Sequence, residues 1–195
     1  MNHRNNPKPG DVIAVGPIKS TKDIAAIKKL LSDKPRDLAL FVVGINTALR
    51  ASDLLKLTAG QVRAIIADKD GGMVRENKTG KLRRVMFNGT AKDALSRLLE
   101  TKEFDNAEPI FTGQRGKMSV SYLCRLVKSW CETVNLKGNY GSHSLRKTWG
   151  YHQRVTFGTD ISTLTDALGL SSQRLTLTYL CIQPDEIRSI YTNEL

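Results

Sequence analysis

The chain has 195 residues, with 30 lysines and arginines against 19 aspartates and glutamates, for a net charge of +11. It is 40% hydrophobic and 25% charged, a globular balance that gives one substantial domain enough apolar mass for a core and argues against a disordered chain. No run nears the roughly 18 apolar residues of a membrane helix, and the polar start MNHRNNPKPG lacks the apolar stretch of a signal peptide. Cys124, Cys131 and Cys181 form no Cys-x-x-Cys pair, which argues against a zinc ribbon or disulfide framework and predicts a reduced, cytoplasmic protein. The cation surplus points to a polyanion partner, although basic charge by itself also serves solubility.

Residues 1–20 hold three of the six prolines and read as a flexible arm. Ile24, Ile27, Leu30 and Leu31 then repeat at helical spacing behind Thr21, a suitable N-cap. Pro35 opens a strongly apolar helix through Leu38, Phe41, Val42 and Ile45. A sharp turn at Leu49-Arg50-Ala51 follows, and Ser52 reads as the cap of a short helix carrying Leu54, Leu55 and Leu57. Two short extended runs, at residues 73–76 and 82–87, flank the turn Asn77-Lys-Thr-Gly-Lys81 and predict a small sheet with basic edges. Thr90 caps a helix bearing Ala94, Leu95, Leu98 and Leu99, and residues 105–118 read as a loop.

Val120, Leu123, Cys124, Val127, Cys131 and Val134 share helical spacing, so both cysteines fit a core. Ser142 caps a helix running to Val155, and Gly158 ends it. Thr159 or Asp160 opens the next helix, which closes at Gly169; Ser171 or Ser172 then caps a helix holding Tyr179. Pro184 starts a short final helix with Ile187, Ile190 and Tyr191 on its apolar face. The expectation is a mainly α fold with a small antiparallel β-sheet, an α+β domain over residues 21–183 followed by a tail helix at 184–195.

Several chemistries lack their residues. Gly113-Gln-Arg-Gly116-Lys117 is too short for a phosphate-cradling P-loop, there is no Gly-x-Ser-x-Gly elbow, and His3, His143 and His152 have no zinc spacing. No metal ligands and no cofactor are therefore expected. What remains is cationic. His143 and Arg146 lie at i and i+3 at the start of a helix, where free N–H groups already favour an anion. Taken singly, each cation has a plain structural explanation: a solvated His and Arg pair, an Arg50 paired to Asp53, a solvated basic turn around Lys78.

In order, however, they form a set. Gly44-Ile-Asn-Thr-Ala-Leu-Arg50-Ala-Ser-Asp53-Leu-Leu-Lys-Leu57 resembles the first arginine box of the tyrosine recombinase (phage integrase) family. Lys78-Thr-Gly-Lys resembles its hairpin lysine, and His143-Ser-Leu-Arg146-Lys-Thr-Trp its second box. Leu168-Gly-Leu170-Ser-Ser-Gln-Arg-Leu-Thr-Leu-Thr-Tyr179 resembles its third box and nucleophile. One position departs: Leu170 stands where the family usually carries His or Trp. The resemblance also omits the N-terminal helical domain of larger members and fits the short ones that consist of a catalytic domain alone.

The resemblance implies a site-specific recombinase or integrase in which Tyr179 attacks a DNA phosphodiester, forming a 3′-phosphotyrosyl link without metal or ATP. Arg50 and Arg146 would hold the phosphate, His143 would act as base or phosphate donor, and Lys78 would protonate the leaving 5′-oxygen. Asp53 would orient Arg50 or its turn. Arg75, Lys81, Arg83, Arg84, Arg115, Lys117 and Lys147 are the expected phosphate contacts, and double-stranded DNA the expected partner. Self-assembly into dimers or tetramers on DNA, accessory DNA-bending proteins and a nucleoid-associated location in a bacterium follow from the same resemblance, and no membrane is expected. Two alternatives stand beside it: a catalytically weak DNA-binding module, and a topoisomerase-like relaxase that shares the covalent step.

Overall fold

The computed structural model describes residues 15–114 and 116–182. The expected tail helix at 184–195 lies outside them. Among the described residues the order is α1 (Thr21–Leu30), α2 (Pro35–Asn46), α3 (Ala51–Leu54), α4 (Ala59–Ala67), β1 (Gly72–Arg75), β2 (Leu82–Val85), α5 (Gly89–Leu99), β3 (Thr112–Gly113), β4 (Gly116–Lys117), α6 (Val120–Thr133), α7 (Ser142–Val155), α8 (Ile161–Leu168) and α9 (Gln173–Leu180). The mainly helical architecture with a small antiparallel sheet is the expected one.

Helix α2 is the axis of the core. Residues Asp37 through Ile45 are all buried, because α2 packs on α5 on one side and α7 on another. Its one buried carboxylate, Asp37, pairs with Arg36 at 2.6 Å. Gly44 sits where α2 meets α7: a Cβ there would lie 2.6 Å from Leu145 Cδ1 and 3.0 Å from Leu145 Cβ. The missing side chain lets the two helices approach. Gly150 does the same between α7 and α9, where a Cβ would come within 2.5 Å of Leu180 Cδ2. A second, smaller apolar cluster follows from that contact, made of Ala48, Leu164, Leu168 and Leu180, with Trp149, Leu170, Tyr179 and Ile182 packed against it.

Helix boundaries are set by side-chain caps, several one or two residues from the expected ones. Ser20 accepts from the Asp23 N–H, Asn88 from that of Ala91, and Ser172 from that of Leu175. Arg50, not Ser52, stands at the N-cap position of α3. Helix α4 was not expected; Thr58 and Gln61 close a reciprocal capping box at its start, and Val62 and Ile65 bury its inner face. The loop at 105–118 contains the two-residue hairpin β3–β4. In the longer hairpin Gly72 pairs with Val85 and Arg75 with Leu82.

The expected flexible arm is corrected over its last residues. Ile18 is fully buried, its N–H donates to Thr148 Oγ1 at 2.8 Å, and its carbonyl meets His152 Nε2 at 3.0 Å. Gly16 N–H donates to Asn139 O at 2.9 Å. Residues 15–20 thus form a strap across α7, held by buried Pro17 and Ile18 and by hydrogen bonds of its backbone that the sequence does not advertise. Residues 1–14 lie outside the described chain.

Gly44→Val tests the α2–α7 approach. Overpacking of this kind costs about 1–3 kcal/mol, so thermal unfolding of the variant should begin several degrees lower; an unchanged melting temperature would show that Leu145 has room to move aside.

Candidate active site

Four elements converge on one place. The α2–α3 turn brings Arg50, the β1–β2 hairpin brings Glu76 and Arg83, α7 brings Arg146, and α9 brings Tyr179. Arg146 is 4% exposed. Its Nη1 donates to Ala48 O and its Nη2 to Leu168 O, so one planar fork joins the end of α2 to the end of α8. Arg83 makes a parallel connection, from Nη2 to Ala167 O at 2.6 Å and from Nη1 to Ala48 O at 3.4 Å. The carbonyls at the C-terminus of α8 carry the negative end of its dipole, which suits two guanidiniums.

Arg50 pairs with Glu76, Nη1 to Oε1 at 2.8 Å, and Arg83 Nη1 approaches the same oxygen at 3.5 Å. Thr79 Oγ1 donates to Glu76 Oε2 at 2.8 Å. Burial raises the Glu76 carboxyl, but Thr79, Arg50 and Arg83 together outweigh it and hold the group below the usual glutamate range. The opposite nitrogen of Arg50, Nη2, faces Gly169. Gly169 itself adopts φ +57 and ends α8, with the Leu170 N–H donating to Thr165 O at 3.0 Å.

Tyr179 is half-buried beside the Arg146 guanidinium, whose charge acts on its hydroxyl. Burial pushes the phenol above its ordinary value of 10; Arg146 and then Arg50 pull it down without cancelling that rise. The phenol is therefore protonated near neutral pH and needs a base to become a nucleophile. His143 has an exposed edge at the start of α7. The burial of its remaining surface, followed by the charges of Arg146, Lys147 and Arg50, holds the ring below the ordinary histidine value of 6.5, so it is neutral and able to accept a proton.

Arg50, His143, Arg146 and Tyr179 thus lie near one another, and three other expected positions are corrected. Asp53 is buried but turned from Arg50 to the hairpin: its Oδ1 accepts from the Asn77 N–H at 2.8 Å, and the carboxylate on Arg50 is that of Glu76. Arg83, expected on the phosphate-binding surface, is drawn inward onto carbonyls. Lys147, also expected there, is 7% exposed, with Nζ 5.0 Å from the Tyr179 ring centre and 3.7 Å from Cys181 Sγ. Lys78 lies exposed near the hairpin tip, and Arg75, Lys81, Arg84 and Lys117 are exposed as expected. Arg115 lies outside the described residues. Leu170 is half-buried in the small apolar cluster. Strand alternation carried the signal for Glu76 and Arg83: each lies two residues from a buried valine, Val74 or Val85, and shares its face.

The profile of the Phage integrase family matches residues 19–186. The chain belongs to that family. Among its relatives in it, the probable integrase/recombinase YoeC of Bacillus subtilis (strain 168) is 34% identical over 182 residues, covering 91% of this chain and 95% of that protein. Tyrosine recombinase XerC of Caldanaerobacter subterraneus subsp. tengcongensis is 28% identical over 171 residues, and this chain spans 47% of its length. The phage integrase fold is shared with XerA recombinase, at a TM-score of 0.70 and 19% identity over 96% of this chain and 66% of that one. XerH bound to a palindromic difH substrate gives 0.68 and 16%, over 92% and 53%.

In this integrase-family domain Arg146 is a structural tie as well as a cation. Arg146→Lys loses the fork that reaches both Ala48 and Leu168 and leaves a buried carbonyl unpaired, at a cost of about 1–3 kcal/mol. Urea unfolding should show that loss in the absence of any DNA; an unchanged midpoint would mean that lysine serves both carbonyls.

Proposed function

We propose that the chain is a site-specific DNA recombinase that cuts and rejoins strands through a 3′-phosphotyrosyl intermediate on Tyr179. The observation that carries the reading is the gathering of Arg146 and Arg50 about the half-buried Tyr179, in a site where cations outnumber the one carboxylate. A phosphodiester placed there meets two guanidiniums and the nucleophile together. As the Tyr179 oxygen bonds to phosphorus, the bond from phosphorus to the 5′-oxygen breaks. His143 takes the phenolic proton, and Lys78, carried on the hairpin, gives one to the departing 5′-hydroxyl. Guanidiniums offer fixed donors to the non-bridging oxygens as charge gathers on them. Attack by a 5′-hydroxyl of another strand reverses these steps.

Double-stranded DNA is the partner in this reading, supported by XerH structures bound to difH substrate and by a lambda integrase dimer bound to a core site. Exposed Arg75, Lys81, Arg84 and Lys117 supply backbone contacts. Assembly into dimers or tetramers and help from DNA-bending proteins belong to the same proposal. Leu170 favours the second reading, a DNA-binding module of weak activity, because an apolar side chain in the small cluster offers the phosphate no donor.

A covalent adduct separates the two. On a nicked duplex bearing the bound sequence, the wild type should trap itself on DNA, while Tyr179→Phe gives no adduct and binds with nearly unchanged affinity. Binding without any wild-type adduct would leave the DNA-binding module.

The pH profile tests His143. Adduct formation should fall only below pH 6.5, where the depressed imidazole finally protonates and can no longer take the phenolic proton. His143→Gln should lower the rate and flatten that acid limb; a limb that persists in the variant would assign the proton to another group.

A further inference from the structure

The hairpin presents a carboxylate in the midst of cations. Along residues 72–85 stand Arg75, Lys78, Lys81, Arg83 and Arg84, and Glu76 is the one acid among them. It is not solvated. Its side chain is 13% exposed, against 19% for that of its partner Arg50. The two oxygens divide their contacts, for Oε1 bridges Arg50 and Arg83, whereas Oε2 takes the Thr79 hydroxyl, one residue from Lys78. A second contact runs the same way, from the Asn77 N–H to Asp53 on α3. The turn bearing Lys78 is therefore fastened to the α2–α3 segment at Glu76 and at Asn77, in each case through a carboxylate.

Arg50 shows the complementary division. Nη1 is taken by Glu76, and Nη2 faces Gly169, on the side where α8 gives way to the tyrosine helix. Glu76 thus pairs with one edge of the guanidinium, and the other edge is turned toward Gly169. Without its negative charge, Arg50 and Arg83 would confront each other around a neutral oxygen, and the hairpin would lose its charged tie.

Resting on the recombinase reading, we propose that Glu76 is a positioning residue: one carboxylate sets the orientation of Arg50 and the placement of Lys78, so that phosphate holder and leaving-group acid move as a unit. It touches neither DNA nor the reacting atoms.

The test uses the full chain and Glu76→Gln, which keeps shape and a hydroxyl acceptor but removes charge. Limited trypsin digestion without DNA reads the tie, and cutting after Lys78 and Lys81 should be roughly tenfold faster in the variant. Adduct formation on the nicked duplex reads the chemistry and should fall by about 10²-fold. A duplex whose scissile 5′-oxygen is replaced by sulfur isolates Lys78, because a thiolate departs without a proton. On it the deficit should shrink to about tenfold, the part due to Arg50. Thr79→Val, which removes only a surface hydroxyl, should shift the same readouts in the same direction by smaller factors. Unchanged trypsin cutting, or equal deficits on oxygen and sulfur substrates, overturns the proposal. If the wild type forms no adduct on either duplex, the recombinase reading fails, and the trypsin result alone decides the tie.

Discussion

Two guanidiniums resting on backbone carbonyls, one buried and one half-buried, hold the site together. Arg146 and Arg83 come from different parts of the chain, yet both donate to Ala48 O and to the last carbonyls of α8, Leu168 and Ala167. The α8 oxygens are helix-end acceptors without intrahelical donors, Ala48 O lies just past the end of α2, and the arginines would be costly to bury without them. Each arrangement solves the other's problem. The result joins the α2–α3 turn, the hairpin, α7 and α8, and places positive charge where an anion can reach it.

The apolar packing makes that convergence possible. Helix α2 is buried on nearly every side, so its end, at Ala48 and Arg50, is fixed by the core rather than by the site. Helix α7 lies against it through Gly44, and α9 lies against α7 through Gly150. Two glycines thus set the distances over which charged side chains reach. Burial then has opposite effects on the proton-carrying groups: it raises the tyrosine phenol and lowers the histidine, which keeps both neutral in the absence of DNA.

Much of this is legible from residue order. The periodic apolar runs mark the long helices, and the boxes around Arg50, His143, Arg146 and Tyr179 pick out residues close enough for their charges to act on one another, while Lys78 stands exposed near the hairpin tip. Direction is harder to read. Arg83 and Lys147 look like surface cations in the sequence because composition records charge but not which way a side chain turns. For Arg83 the alternation of the strand holds the answer. For Lys147 it does not, since Ser144 through Thr148 are buried all round the helix and no polar face marks that position. Asp53 attracts attention as the acid nearest Arg50 in sequence, while the actual partner comes from a hairpin 26 residues away. Helix α4 is short and announced chiefly by the capping pair Thr58 and Gln61, and the strap at 15–20 is hidden because only Pro17 and Ile18 are buried in it.

The short connection between α8 and α9 makes the tyrosine helix a lever. Tyr179 stands seven residues past the Ser172 cap, about 10 Å along the axis at 1.5 Å per residue. A tilt of roughly 6° about that pivot carries the hydroxyl about 1 Å, a misplacement that costs reactions of this kind about 10²-fold. The angular tolerance of the site is therefore a few degrees, and it is enforced by contacts without any chemical part to play. Thr165 and Thr176 join hydroxyls at 2.9 Å near the pivot, and Leu180 seats over Gly150 at the far end. Alignment of Tyr179, the nucleophile of the proposed reaction, is thus governed by a pair of threonines and an absent methyl group.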